Sequence, residues 1–109
     1  MIRITVLTNA HGKALGFKTE GHAGFDDYGY DIVCAAVSVL ELNLANSVQE
    51  LTGAEFSCQV DEDKGSFSFR LRNRENEKAV LLLDSCLLGL EAVRQQYGSN
   101  FLTIREQEV

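Results

Sequence analysis

Apolar residues recur along the chain in two periods, and the periods alternate. Over Met1–Thr8, Ile2, Ile4 and Val6 share one side and Arg3 and Thr5 the other, the two-residue period of a strand. Asn9-Ala10-His11-Gly12 supplies turn chemistry. Ala14–Gly21 alternates again, with Leu15, Phe17 and Thr19 on one side, so the two runs predict a β-hairpin. From Asp31 to Leu51 the period lengthens: Val33, Val37, Leu40, Leu44, Val48 and Leu51 repeat at spacings of three and four, which predicts an amphipathic helix. Asp31 is placed to cap it and Gly53 to stop it. In Ala54–Val60 the residues Phe56, Cys58 and Val60 point inward, Asp61-Glu62-Asp63-Lys64-Gly65 turns the chain, and Phe67, Phe69 and Leu71 continue a second hairpin. Asn76 caps a second helix reaching Tyr97, with Val80, Leu83, Leu87 and Leu90 on one stripe. Leu82, Cys86 and Val93 widen that stripe, which predicts burial on two sides. Phe101–Glu106 forms a short last strand.

The order ββαββαβ predicts an α+β sandwich, two long helices packed on a mostly antiparallel five-stranded sheet. No Pro- or Ser-rich linker and no low-complexity tract divides the chain, so residues 1–109 are expected to form a single domain. The two ββα units share an order but no repeat of residues.

Length and composition narrow the class. A chain of 109 residues suits one domain and buries roughly two-thirds of its unfolded surface. Disorder is excluded by 45% hydrophobic against 24% charged residues. Ten bases against sixteen acids give −6, which argues against nucleic-acid binding and suits a basic partner steered by an acidic field. No window is read as a membrane span of ~18 apolar residues, and no basic-then-apolar leader opens the chain, so a cytoplasmic protein without a membrane partner is expected. Three cysteines in such a chain read as reduced thiols.

One segment has no period. Gly21 to Asp31 contains Gly21, Gly24 and Gly29, the acids Asp26 and Asp27, and the aromatics Phe25, Tyr28 and Tyr30. It reads as a loop of about ten residues, a length that is often functional. His22 lies at its start, after the second strand. Cys34 falls in the first helical turn if Asp31 is the cap. A thiol there faces unpaired backbone N–H groups and the positive end of the helix dipole, which favour the thiolate. A histidine within reach would lower its pKa further and could shuttle a proton. First-turn N–H groups could also stabilise an oxyanion. Against this, a lone Cys near a helix start is more often a small buried hydrophobe, and spacing alone does not bring His22 and Cys34 together.

Asp31, Cys34 and Ser38 share one helical face. Asp31 would fix the helix start and thus the thiol, while Ser38 would contact the loop or a substrate backbone. The plainer reading makes them a cap and a packing residue. Cys58 and Cys86 are expected in the core, and His11 in an exposed turn. No two Cys or His have metal-ligand spacing and Asp61–Asp63 lack calcium-loop spacing, so no metal and no cofactor is expected.

Gly21-His22-Ala23-Gly24, followed by Gly29-x-Asp31-Ile32-Val33-Cys34-Ala35-Ala36-Val37-Ser38, resembles the signature of the ribosomal-processing cysteine protease family, Prp. The resemblance extends along essentially the whole chain and carries the family's catalytic dyad onto His22 and Cys34. It implies a cysteine endopeptidase that removes the N-terminal extension of a bacterial large-subunit ribosomal protein, after a short motif ending in aromatic residues. It also implies a homodimer and a glycine-rich loop that moves when substrate binds. Asp26 and Asp27 could then attract a basic substrate, and Phe25, Tyr28 and Tyr30 could pack on its aromatic residues. Two rival readings stand beside it: a non-catalytic assembly factor that binds a basic ribosomal protein, and a structural dimer joined through the second helix.

Overall fold

The computed structural model describes residues 1–21 and 28–109, and for residues 28–31 the backbone alone. Its elements follow the predicted order: β1 (Ile2–Thr8), β2 (Ala14–Glu20), α1 (Tyr28–Leu51), β3 (Phe56–Asp61), β4 (Ser66–Leu71), α2 (Glu77–Tyr97) and β5 (Leu102–Glu108). The five strands form one mixed sheet in the order β3-β4-β2-β1-β5. Three neighbouring pairs are antiparallel, while β1 and β5 run parallel, Ile4 opposite Ile104. A parallel pair cannot be joined by a tight turn, and the long connections through the helices meet that need.

The register decides where the core lies. Ile4 pairs with Thr19, Val6 with Phe17, Phe17 with Phe69 and Phe69 with Cys58. Directly paired residues project to the same side, so these positions form one face. That face supplies Ile2, Ile4, Phe17, Phe67, Phe69, Leu71 and Leu102 to a single buried cluster. Into the same cluster α1 sends Val33, Val37, Leu44 and Val48, and α2 sends Ala79, Leu83, Cys86 and Leu90. Both helices therefore cover one face of the sheet, which makes a two-layer α+β sandwich. The rings of Phe17 and Phe67 lie 5.6 Å apart and tilted, and those of Phe56 and Phe69 stack at 5.1 Å.

The second helix starts as its sequence requires. Asn76 Oδ1 accepts from the Ala79 backbone N–H at 3.0 Å, and Asn76 Nδ2 donates to the Thr52 carbonyl, tying the cap to the end of α1. Gly98 closes the helix, its N–H donating to the Arg94 carbonyl at 2.8 Å. The helices approach closely at Gly89, where an added Cβ would stand 3.0 Å from Leu40. The buried line of α2 runs through Ala79, Leu83, Cys86 and Leu90, with Val80, Leu82, Leu87 and Val93 only partly buried beside it.

Several expectations change. The first helix begins at Tyr28, so Tyr28, Gly29 and Tyr30 belong to it and not to a loop, and Asp31 is its fourth residue and not its cap. A glycine and two aromatics do not stop a first turn, whose N–H groups lack intrahelical acceptors in any case. Leu51, placed on the apolar stripe by spacing, is exposed at the end of α1. Cys58 and Val60 do face the helix side, but both are exposed because β3 is the outermost strand. Finally, Ile32–Leu51 is long and apolar enough to cross a membrane by length and composition, contrary to the reading that no window qualifies. Here Val33, Val37, Leu44 and Val48 of that stretch pack in the core.

Candidate active site

A cavity of about 380 Å³ opens between α1 and the end of the sheet where β3 turns into β4. One wall is a single face of α1: Cys34, Val37, Ser38, Glu41 and Leu42 all line it, at the three- and four-residue spacing that aligns side chains on a helix. Thr19 from β2, Gly21 directly after that strand, Ile2 from β1, and residues of the β3–β4 hairpin, among them Val60, Asp61, Glu62 and Phe67, line the rest. The structure thus brings Gly21, Cys34 and Ser38 to one site, as the sequence suggested. His22, Gly24, Phe25, Asp26 and Asp27 lie outside the described residues, and for Tyr28, Gly29, Tyr30 and Asp31 the position on α1 is what is described.

Gly21 is required where it stands. Its φ is +115°, and an added Cβ would lie 2.2 Å from the Met1 carbonyl oxygen. Both the backbone conformation and the space exclude other residues. This fixes how the chain leaves β2 next to the cavity.

Cys34 is the seventh residue of α1 and half-buried. This corrects the expected first-turn placement. In an α-helix the N–H groups without internal acceptors are those of the first four residues, so they cluster a turn before Cys34. The dipole effect also fades within that first turn. What distinguishes Cys34 is its place on the cavity wall.

The other two thiols differ. Cys86 is buried, its Sγ donates to the Leu40 carbonyl at 3.5 Å, and burial followed by the charge of Glu41 pushes its pKa up to about 12. That is the core role expected of it. Cys58 belongs to an exposed strand, yet burial of its thiol and then Glu41 raise its pKa above the ordinary 9.0. His11 is exposed in the β1–β2 turn, where its backbone N–H donates to Asn9 Oδ1.

Glu41 is the residue that the sequence reading missed. It is 5% exposed and accepts a hydrogen bond from the Thr19 hydroxyl. Burial pushes its carboxyl from 4.5 up to about 7, against the lowering effect of that hydrogen bond. The signal was present: in the series Val37, Glu41, Leu44, Val48 an acid occupies a position of the buried stripe. Among the described residues no group of three or more His, Cys, Asp or Glu could hold a metal ion.

A small α+β sandwich with a half-buried thiol on the wall of an open cavity has a thiol where a thiol hydrolase needs one. Known proteins make the class specific. The family described as cysteine protease Prp matches residues 1–101. The chain is 33% identical over 104 residues to the ribosomal processing cysteine protease Prp of Bacillus subtilis, covering 92% of this chain and 93% of that one. The protein of the same description from Staphylococcus aureus is 31% identical over 100 residues, covering 92% and 94%. Among solved structures, Prp from S. aureus in complex with a covalently linked product peptide superposes with a TM-score of 0.87 at 28% identity, covering 98% of this chain and all of that chain. The same S. aureus protease in complex with a substrate peptide gives a TM-score of 0.89 at 27% identity, with equal coverage. The chain belongs to the Prp family of cysteine proteases.

Proposed function

We propose that residues 1–109 act as one catalytic domain that removes the N-terminal extension of a bacterial large-subunit ribosomal protein. Cys34 is the nucleophile and His22 the general base. The Cys34 thiolate attacks the scissile carbonyl carbon, and His22 passes its proton to the departing amine, leaving a thioester on Cys34. Water activated by His22 then releases the carboxylate product. The observation that carries this reading is the position of Cys34 on the wall of the cavity beside α1, in a chain of this family.

The cavity's apolar residues Ile2, Val37, Leu42, Val60 and Phe67 suit a cleavage motif ending in aromatic side chains. Ser38 contacts the substrate backbone from the same helical face. Gly21 and Gly24 shape the approach of the peptide, and Asp31, in the first turn of α1, helps to fix the Cys34 helix. Phe25, Tyr28 and Tyr30 pack on the substrate, while Asp26, Asp27 and Gly29 shape its entry. No metal or cofactor takes part. The exposed apolar residues Val39, Leu81 and Leu88 on the helices support a homodimer, and a ribosomal substrate supports a cytoplasmic location.

The test is incubation of the purified protein with the extended ribosomal protein and mass spectrometry of the products. A single cut after the aromatic motif, abolished when those aromatics become Ala, is expected. A stable complex with uncut substrate would overturn the proposal in favour of an assembly factor.

A further inference from the structure

Glu41 is a costly residue for a wall position. It occupies the buried stripe of α1 between Val37 and Leu44, where an apolar side chain would pack without desolvating a carboxyl. The Thr19 hydroxyl supplies one hydrogen bond to its Oε2, whereas a carboxylate has sites for about four. The cavity that Glu41 lines is the one that Cys34 lines. Two more carboxyl residues, Asp61 and Glu62, line it from the hairpin, and none of the described lining residues is basic.

We infer that Glu41 is a specificity-determining residue: it receives a peptide side chain carrying N–H donors about three residues from the scissile bond. The shared chemistry is that of a Lys or Arg cation or an Asn or Gln amide. For a peptide lying along α1, the position follows from the helix. Cys34 and Glu41 are seven residues apart, so ~10.5 Å along α1 at ~1.5 Å per residue. An extended peptide advancing ~3.3 Å per residue covers that distance in about three residues. A leucine at that peptide position would leave the buried carboxyl with the Thr19 hydroxyl as its partner among the described residues, whereas an N–H donor would add to it. The inference rests on the peptidase reading above.

The experiment measures kcat/KM on a peptide panel derived from the extension. Each position within four residues of the cut carries, in turn, Lys, Arg, Gln, Asn or Leu. The full-length protein is compared with Glu41→Gln and Glu41→Leu, with thermal unfolding checking that each is folded. The wild type is expected to prefer an N–H donor over Leu at one position, about three residues from the cut, by about tenfold to a hundredfold. Glu41→Leu should bring that ratio close to one. Glu41→Gln should erase a Lys or Arg preference but keep an amide preference, which separates the two donor chemistries. A wild-type panel with no donor preference at any position overturns the assignment, and so does a preference that Glu41→Leu retains. Failure of the wild type to cut any peptide overturns the peptidase reading itself, and this inference with it.

Discussion

Glu41 makes the stability of the fold depend on pH in a direction opposite to that of a salt-bridged carboxylate. Burial raises its pKa from 4.5 to about 7 in the folded protein. Between those values the unfolded chain has released the proton and the folded protein keeps it. The folded state then binds more protons, so stability falls as pH rises. Its contribution is full below 4.5 and lost once pH has risen through about 7. At about 1.4 kcal/mol per pH unit, that displacement is worth about 3 kcal/mol. Glu41→Gln keeps the volume and an acceptor for the Thr19 hydroxyl but has no proton to lose. Urea unfolding of both proteins at pH 5 and pH 8 isolates the ionisation, because constant packing differences cancel between the two conditions. Cys58 and Cys86 have pKa values raised above 9.0 and stay out of this window. The stability of the variant relative to wild type should rise by about 2–3 kcal/mol between pH 5 and pH 8. An equal difference at both pH values would refute the reasoning and place Glu41 in a solvated setting.

Two further outcomes follow from the site. Iodoacetamide near neutral pH should modify Cys86 last of the three thiols, since a pKa of about 12 in place of 9.0 leaves it roughly a thousandfold less thiolate. Peptide mapping of timed samples reads the order, and Cys86 labelling as fast as Cys58 would contradict the buried placement. Gly21→Ala should destabilise the protein by at least about 2 kcal/mol, because the positive φ and the contact with the Met1 carbonyl must both be relieved. An unchanged Tm would mean that β2 leaves the sheet by another path.

Periodicity carried most of the fold because it reports directly which face of each element is apolar. Ile2, Ile4, Phe17, Phe67 and Phe69 were placed on one side by alternation, and the structure buries them together. Alternation does not say what lies above that side. Cys58 and Val60 share the face of Phe67 and Phe69, yet they are exposed, because the position of β3 at the sheet edge is a property of strand order. The start of α1 was misplaced for a related reason. Asp31 is a good cap by residue type, but Tyr28, Gly29 and Tyr30 join the helix ahead of it, and capping chemistry does not exclude a longer first turn. The cavity joins α1 to the β3–β4 hairpin through tertiary packing, so local pattern could gather Gly21, Cys34 and Ser38 but not Thr19, Asp61 or Glu62. Glu41 is legible as an acid inside an apolar stripe, but its burial depends on the sheet packed against that stripe.

Cleavage of the extension peptide by wild type and Cys34→Ala reads whether Cys34 is the nucleophile. Removing one sulfur from a half-buried position changes little volume, so the variant should fold and bind peptide. Mass spectrometry should find both products with the wild type and only intact peptide with Cys34→Ala. Cleavage by the variant at the wild-type rate would contradict that role.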